Sequence, residues 1–347
     1  MLTNNVDSED ITICEYVRIP YSSIDISDVG NKKKRFEKNK TEKILNRYPK
    51  ELYVLQDEVT QQIFKNGSSK GPLNRQGGAN QYNIKYDNKK DSGLIILNVN
   101  ATEEDKIIAE KPFGYYDWAV MEAVISIYVD AVERGLDNNG EILIDIKTIH
   151  KVLNHGKRMS QETIKNITDC KLTQSLRKLM GNYIVISEVS GDYEGDMING
   201  ELCFARGKHC VRIKSAPVLL EFAKQNERTY YCRFDKDDLK LEVTWNEERI
   251  AIYRYLMQRT NEIFGSYKND EENKNTKLTN SIPLRNIIKT LYPDFDTKYQ
   301  GDRDRGKRRD ILKNVRTILD AMKLKGFFDD YLELEGKNGI VFKLIRR

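Results

Sequence analysis

The sequence is poor in histidine, the side chain that most often serves as a metal ligand or general base, with three in 347 residues. They are His150, His155 and His209, and no His-x-His pair occurs. Rolling-circle nicking enzymes need two histidines around a metal ion, so the sequence argues against that class. His209 alternates with Cys210 along a predicted strand that offers no further ligands, which argues against zinc. We therefore predict no metal site.

Motifs for phosphate and carboxylate chemistry are missing as well. No GxxxxGK[ST] phosphate-binding loop occurs, and residues 200–208 have the wrong spacing for one. The carboxylate pairs Asp294/Asp296 and Asp302/Asp304 fall in predicted loops without supporting carboxylates at strand ends, which disfavours two-metal catalysis. No Ser-His-Asp or Cys-His arrangement is supported. We predict that the chain is not an enzyme and takes no cofactor.

Long hydrophobic runs are also absent. No apolar run approaches the roughly 20 residues that span a bilayer, so we predict no membrane segment. The N-terminus lacks a basic region followed by an apolar one, which argues against a signal peptide. An odd cysteine count without a tight framework indicates free thiols in a reducing cytoplasm, the location that we expect. The five cysteines are Cys14, Cys170, Cys203, Cys210 and Cys232.

The chain does contain enough apolar material for folded cores. Hydrophobic residues make up 39 % of its length, which accommodates two or three domains. Charged residues reach 32 %, and the net charge is +5. This excess is modest, so it permits a nucleic-acid partner without establishing one. Whether a nucleic-acid partner is indicated therefore depends on where in the sequence the positive charge is concentrated.

Residues 1–110 are predicted to form a smaller N-terminal extension that contains β-structure. Its basic run at 31–43 is most simply a solvated segment, and a basic arm on phosphate is the alternative. The runs at 81–86 and 93–99 alternate or are apolar, and the polar turn between them predicts a hairpin.

Residues 111–235 change to a helical pattern and are predicted to form a first domain. A long apolar-striped helix precedes a short strand at 141–145, a short helix, and a longer helix over 160–180 that Ser160 caps. A hairpin made from 182–189 and 201–205 is expected next. This order is typical of a winged helix, in which a β-hairpin follows the second helix of a helix-turn-helix.

Residues 236–347 repeat the same order of elements and are predicted to form a second domain. The long helix over 305–326 buries an apolar stripe, and Asn338-Gly339 marks the turn of a closing hairpin. The fold class that we predict is α+β, with two tandem winged-helix domains after the N-terminal extension. The residues expected inside the long helix are Ile311, Leu312, Val315, Ile318, Leu319 and Met322.

The strongest local feature is a basic cluster at 298–316. It carries about five net positive charges by direct count, roughly the net charge of the whole chain. The cluster precedes and opens the helix that enters the major groove in a winged helix, and arginine suits that place because its planar fork bonds guanine or phosphate. A solvated basic face is the alternative. The predicted DNA contacts here are Arg303, Arg305, Lys307, Arg308, Arg309, Lys313 and Arg316, with Lys337 at the hairpin tip.

The equivalent helix of the first domain is less basic. Asp169 lies on it, so contact with DNA and a purely structural role remain equally open there. The candidate contacts on this helix are Lys165, Lys171, Gln174 and Arg177. The long helix that opens the first domain offers Trp118, Val120 and Ile127 for part of a dimer surface, although core packing is the simpler interpretation for Trp118.

Residues 111–347 resemble the replication initiators of plasmids and related mobile elements from low-GC Gram-positive bacteria. The matching motifs are Tyr116-Asp117 and Ser126-Ile127-Tyr128 in the opening helix, the linker segment at 214–228, and Tyr255, Leu256 and Arg259 in the helix that opens the second domain. The resemblance implies iteron binding at a plasmid origin, melting of AT-rich DNA, recruitment of a host initiator and helicase, and a homodimer formed through the first domain.

The predicted function is therefore that of a non-enzymatic, origin-binding replication initiator that recognises repeated sites in double-stranded DNA. A winged-helix transcriptional regulator or repressor is the main alternative, and nothing in the sequence separates the two. A subunit of a DNA-processing enzyme and a protein that binds DNA without sequence preference are further alternatives.

Overall fold

The structure, a computed structural model, describes residues 43–55, 58–69, 81–87, 92–109, 113–188, 191–225, 231–235, 239–264, 280–292, 295, 302–336 and 339–346. Most of the basic run at 31–43 lies outside the described residues, and so do Lys298 and Lys337. The described part is a mixed α+β fold with several helices and four sheets.

The described residues form ten helices. They are α1 (Glu58–Ser69), α2 (Glu103–Ala109), α3 (Tyr115–Glu133), α4 (Ile146–Leu153), α5 (Gln161–Lys165), α6 (Lys171–Met180), α7 (Val218–Gln225), α8 (Glu247–Phe264), α9 (Leu284–Leu291) and α10 (Asp302–Leu324).

The strands form four sheets in the described residues. The strands are β1 (Ile44–Leu45), β2 (Glu51–Leu55), β3 (Gln81–Asp87), β4 (Ser92–Val99), β5 (Ile142–Asp145), β6 (Asn182–Glu188), β7 (Gly191–Asp196), β8 (Gly200–Ala205), β9 (Lys208–Ile213), β10 (Tyr231–Asp235), β11 (Ser281–Pro283), β12 (Asp330–Gly336) and β13 (Gly339–Ile345). Their orders are β1-β5-β9-β8, β10-β2, β11-β13-β12 and β3-β4-β6-β7.

One arrangement of elements occurs twice. In the first unit, α3 leads to β5, then to helices α4 to α6, and the hairpin β8–β9 closes the unit. In the second unit, α8 leads to β11, then to α9 and α10, and the hairpin β12–β13 closes it. In both units the first strand pairs antiparallel with the last strand of the hairpin. The repeat that the element order predicted therefore extends to strand pairing.

The hairpin of the first unit differs from the prediction. β6 pairs with β7 and β4, not with β8, so the stretch from 182 to 196 belongs to another sheet. Residues 191–196 were expected to be a turn, but Tyr193 packs edge-on against Phe222, 5.0 Å between ring centroids, and β7 completes that sheet. β8 instead pairs with β9 across Arg206 and Gly207, which both adopt positive φ, as a tight two-residue turn requires.

The predicted helix over 160–180 is two helices. Ser160 caps α5 as expected, because its Oγ accepts a hydrogen bond from Thr163 N at 3.1 Å. α5 ends at Lys165, and Ile167 then turns into the core. The chain starts again as α6 after Cys170.

The predicted boundary at residue 110 does not separate a distinct extension. β1 pairs in parallel with β5, β2 pairs with β10, and β4 pairs with β6. The predicted hairpin of β3 and β4 is confirmed, but its neighbours come from beyond residue 110. The reason is that short strands need partners for their backbone groups, and the first unit provides them.

The core runs without a break from one unit to the other. Helix α3 is buried on nearly every side, as expected of a helix that is apolar all round. Trp118 and Val120 are fully buried and Ile127 nearly so, which corrects the expectation that this face offers a dimer surface. Trp118 stacks on Phe64, with 5.5 Å between ring centroids.

Candidate nucleic-acid interface

Helix α10 has one buried face and one exposed face. Ile311, Val315, Ile318, Leu319 and Met322 are fully buried, which confirms the predicted apolar stripe. Leu312, also expected inside, is partly buried against the same core. Most of the exposed residues on the rest of the helix are polar or charged.

Four cations line the exposed face of α10. Arg305, Arg309, Lys313 and Arg316 are spaced by four, four and three residues and are all exposed. At about 100° per residue they fall within about 80° of the helix circumference, on the side away from the core. We call these four residues the basic stripe.

Arg316, at the C-terminal end of the basic stripe, is paired within the chain. Its Nε and Nη2 donate to the two carboxylate oxygens of Glu333 on β12, at 2.8 and 2.6 Å. These hydrogen bonds hold the pKa of Glu333 below its usual range. Because both side chains are exposed, the pair ties the hairpin to α10 only weakly and is open to competition by phosphate.

Two other predicted contacts are directed toward the protein. Lys307 Nζ donates to Glu248 Oε2 on α8 and lies 5.1 Å from the centroid of the Tyr292 ring. Arg308 donates to Asp304 Oδ1 at 2.5 Å, and its guanidinium lies over the Phe295 ring at 4.6 Å. These residues fix α10 against its neighbours, which makes them weaker candidates for DNA contact than the basic stripe.

Within the described ranges, no acidic side chain forms an ion pair with Arg303, Arg309 or Lys313. All three are exposed, and Arg305 is exposed beside them. For Arg303, Arg309 and Lys313, an exposed positive charge without an ion-pair partner in the described residues is the arrangement that phosphate neutralisation needs. Together with the exposed Arg305, they are the members of the predicted cluster whose side chains reach solvent.

The corresponding helix of the first unit is more fully compensated. Lys171 lies 3.9 Å from Glu247 and 4.8 Å from the Tyr116 ring centroid, and Arg177 lies 3.4 Å from Asp105. Gln174 is exposed, and its amide donates to the Asp169 carbonyl at 3.0 Å. Lys165 on α5 is exposed.

Asp117 holds α6 in place. Its Oδ1 accepts from Ser175 Oγ at 2.7 Å, and its Oδ2 accepts from Lys178 Nζ at 2.5 Å and from Gly114 N at 2.8 Å. The carboxylate therefore caps α3 and anchors α6 on it.

Sequence reasoning missed Arg206. This arginine is exposed at the tip of the β8–β9 hairpin, while Lys208 next to it lies 3.3 Å from Asp145. The hairpin was expected elsewhere, so its tip was not considered. The signal that was available is the Arg-Gly pair between two alternating segments.

The described residues contain no group of three or more His, Cys, Asp and Glu side chains placed to hold a metal ion. Among them there is also no helix long and apolar enough to cross a membrane. His150 and His155 are paired or packed within the protein: Asn154 Nδ2 lies 2.6 Å from His150 Nδ1, and His155 stacks on Trp245. Burial lowers the pKa of both histidines to about 4.

No protein-family model and no curated protein matches this chain. Among the solved structures that resemble it, two are crystal structures of RctB domains. A crystal structure of selenomethionine derivatives of domains 2 and 3 of RctB is 9 % identical, with a TM-score of 0.41, and the match covers 82 % of this chain and 97 % of that one. A second crystal structure of RctB domains 2-3 is 11 % identical, with a TM-score of 0.39 and coverage of 81 % and 96 %. These values are too low to assign a family.

Proposed function

We propose that this chain binds double-stranded DNA and that helix α10 is the recognition helix of a winged-helix domain. The observation that carries the proposal is the basic stripe on the exposed face of a helix whose opposite face is anchored in the core. The second unit has the helix, strand, two-helix and hairpin order of a winged helix. We infer the same domain type for the first unit.

The number of exposed cations on α10 determines how strongly the affinity for DNA should depend on salt concentration. Arg303, Arg305, Arg309 and Lys313 offer about four phosphate or base contacts, which gives a slope near −3.6 for the logarithm of affinity against the logarithm of salt concentration. The contribution is sufficient for non-specific attachment. Sequence preference then depends on which of these side chains reach base edges in the major groove.

The biological role that we propose is that of a non-enzymatic replication initiator that recognises repeated origin sites. Its support is the motif resemblance described above, together with a motif aspartate, Asp117, that anchors α6. Formation of a homodimer and recruitment of a host initiator or helicase belong to the same proposal. The proposed location is cytoplasmic.

Two experiments, carried out one after the other, test this proposal. Selection of bound duplexes from a random-sequence pool, followed by protection mapping of the enriched site, tests recognition of specific DNA. Enrichment of a repeated motif is expected, and the absence of any enrichment would contradict sequence-specific binding. A plasmid that carries the DNA flanking the gene, but not the gene, then tests replication when the protein is supplied in trans. Binding and repression without replication would favour a transcriptional regulator.

A further inference from the structure

Residues 243–249 lead into α8 and form its first turn, and they contact both units. This stretch includes Trp245, Glu247 and Glu248, and we call it the bridge. Its contacts reach α10, which is proposed above to face DNA, and α6, the corresponding helix of the first unit. The bridge can therefore fix the position of these two helices relative to each other.

The first unit holds the bridge at three points. Lys157 Nζ donates to the Val243 carbonyl at 2.5 Å. The His155 ring stacks on the Trp245 ring, with centroids 4.3 Å apart and planes 10° from parallel. Lys171, the first residue of α6, lies 3.9 Å from Glu247. Stacking and a charge-assisted hydrogen bond fix position more firmly than the exposed Lys171–Glu247 pair does.

The second unit holds the bridge through a network around Glu248. Its carboxylate accepts from Lys307 Nζ and Asn314 Nδ2 on α10 and from Tyr292 OH. Burial raises the pKa of Glu248, but these hydrogen bonds outweigh it and hold the pKa below the usual range. Arg249 Nε donates to Asn314 Oδ1 at 2.8 Å, which adds a second connection to α10.

Consecutive residues of the bridge thus attach to different helices: Glu247 to α6 and Glu248 to α10. We propose that the bridge fixes the separation and rotation of α6 and α10, so that the protein selects duplex DNA by the spacing of two contacted segments. Glu248 is a positioning residue here, because it acts through Lys307 and Asn314. This inference rests on the proposed DNA-binding function and adds a spacing requirement to it.

The experiment compares duplexes of different spacing. The probe is the duplex enriched from the random pool by the full chain, altered by inserting five base pairs, about half a helical turn, between its two protected segments. The measured quantity is the ratio of affinities for the original and the altered duplex. For the unaltered protein we expect a ratio of at least about tenfold, because half a turn moves one segment to the opposite side of the duplex.

Glu248→Gln removes the charge that holds Lys307, and it should reduce the ratio to less than about threefold. Glu242→Gln is the matched control, since it removes the same charge from an exposed side chain that lies 3.7 Å from Lys240. The control should keep the full ratio. Thermal unfolding of each variant verifies that it remains folded.

A second variant keeps the proposal testable if Glu248→Gln does not fold. His155→Asn removes the ring that stacks on Trp245, and it should lower the ratio by about two- to fivefold. A ratio unchanged in a folded Glu248→Gln, or unchanged in His155→Asn, would overturn the bridge. A single protected segment would overturn it as well. Absence of any duplex binding by the unaltered protein would instead defeat the proposed function.

Discussion

Arg254 and Glu122 form an ion pair that is buried between the helices opening the two units. Arg254 Nε lies 2.9 Å from Glu122 Oε2, and Arg254 Nη2 donates to Glu122 Oε1 at 2.9 Å. The same Nη2 donates to the Leu55 carbonyl, and Leu55 N donates to Glu122 Oε1, both at 2.9 Å. The guanidinium also lies 3.7 Å from the Trp118 ring centroid. Strand β2, helix α3 and helix α8 therefore meet at this ion pair.

Removing one partner of this ion pair should lower the free energy of unfolding more than replacing both partners with apolar residues. Burial raises the pKa of Glu122 to about 7 against the opposing charge of Arg254, which shows that removing the two charges from water is costly. Glu122→Leu or Arg254→Met alone leaves one buried charge, with an expected loss of about 3–5 kcal/mol in the free energy of unfolding. The double variant should lose less than the sum of the two. Urea unfolding measures all four proteins, and strictly additive losses would contradict the coupling.

His155 should make the contact between the units sensitive to acid. Burial is the main cause that lowers its pKa to about 4; a hydrogen bond with the Leu239 backbone opposes this shift, and the charges of Lys157 and Lys240 add to it. A lowered pKa means that the stabilisation is complete above the unfolded-state pKa of about 6.5 and is lost as the pH falls toward 4. Between pH 7.5 and pH 5 this residue should contribute a loss of about 1–2 kcal/mol.

The matched variant for this effect is His155→Asn. Asparagine tolerates the left-handed backbone that His155 adopts at φ 50°, so the change tests titration with little backbone strain. Urea unfolding at pH 7.5 and pH 5 should show a smaller drop in the free energy of unfolding for the variant than for the unaltered protein. The drop that remains is assigned to other groups, including His150, whose pKa burial also lowers to about 4. Equal drops in both proteins would show that His155 does not titrate as described.

Asp117→Asn should weaken the attachment of α6 to α3. The change keeps the shape of the side chain but leaves Lys178, whose side chain is 11 % exposed, without its compensating charge. We expect a loss of about 3 kcal/mol in the free energy of unfolding. The control is Asp105→Asn, which breaks the more exposed Asp105–Arg177 pair and should cost less than about 1 kcal/mol. Chemical unfolding of the two variants compares them directly, and similar losses would argue against the anchoring role.

Apolar periodicity was enough to predict the faces of α10. Ile311, Val315 and Ile318 recur at helical spacing, and burial of that stripe leaves the basic stripe exposed. Periodicity could not predict that Lys307 forms an ion pair within the protein while Arg309, on the same helix, is exposed. The partner of Lys307 is Glu248, on another helix, and only the docking of α8 against α10 brings them together. Which cations remain accessible is a tertiary property.

Strand pairing was predictable only where a turn was short. Strands β3 and β4 pair as the expected hairpin, because they are close in sequence. The pairing of β4 with β6 joins residues about 90 positions apart, and the residues themselves do not specify the partner. The same limit explains the boundary placed at residue 110. The β8–β9 hairpin has a short turn at Arg206 and Gly207, but residues 201–205 were assigned to pair with residues 182–189, so this turn and Arg206 were overlooked.

The salt dependence of DNA binding tests the central claim most directly. The triple variant Arg305→Gln, Arg309→Gln and Lys313→Gln removes three cations from the basic stripe, and Arg47→Gln, Lys50→Gln and Lys85→Gln removes three exposed cations from other elements. Affinities for the selected duplex are measured across a salt series. We expect the stripe variant to lose at least about tenfold in affinity and about 2–3 units of salt slope, with little change in the control. Equal affinity and equal slope in the two triple variants would contradict the assignment of α10 as the DNA-binding helix.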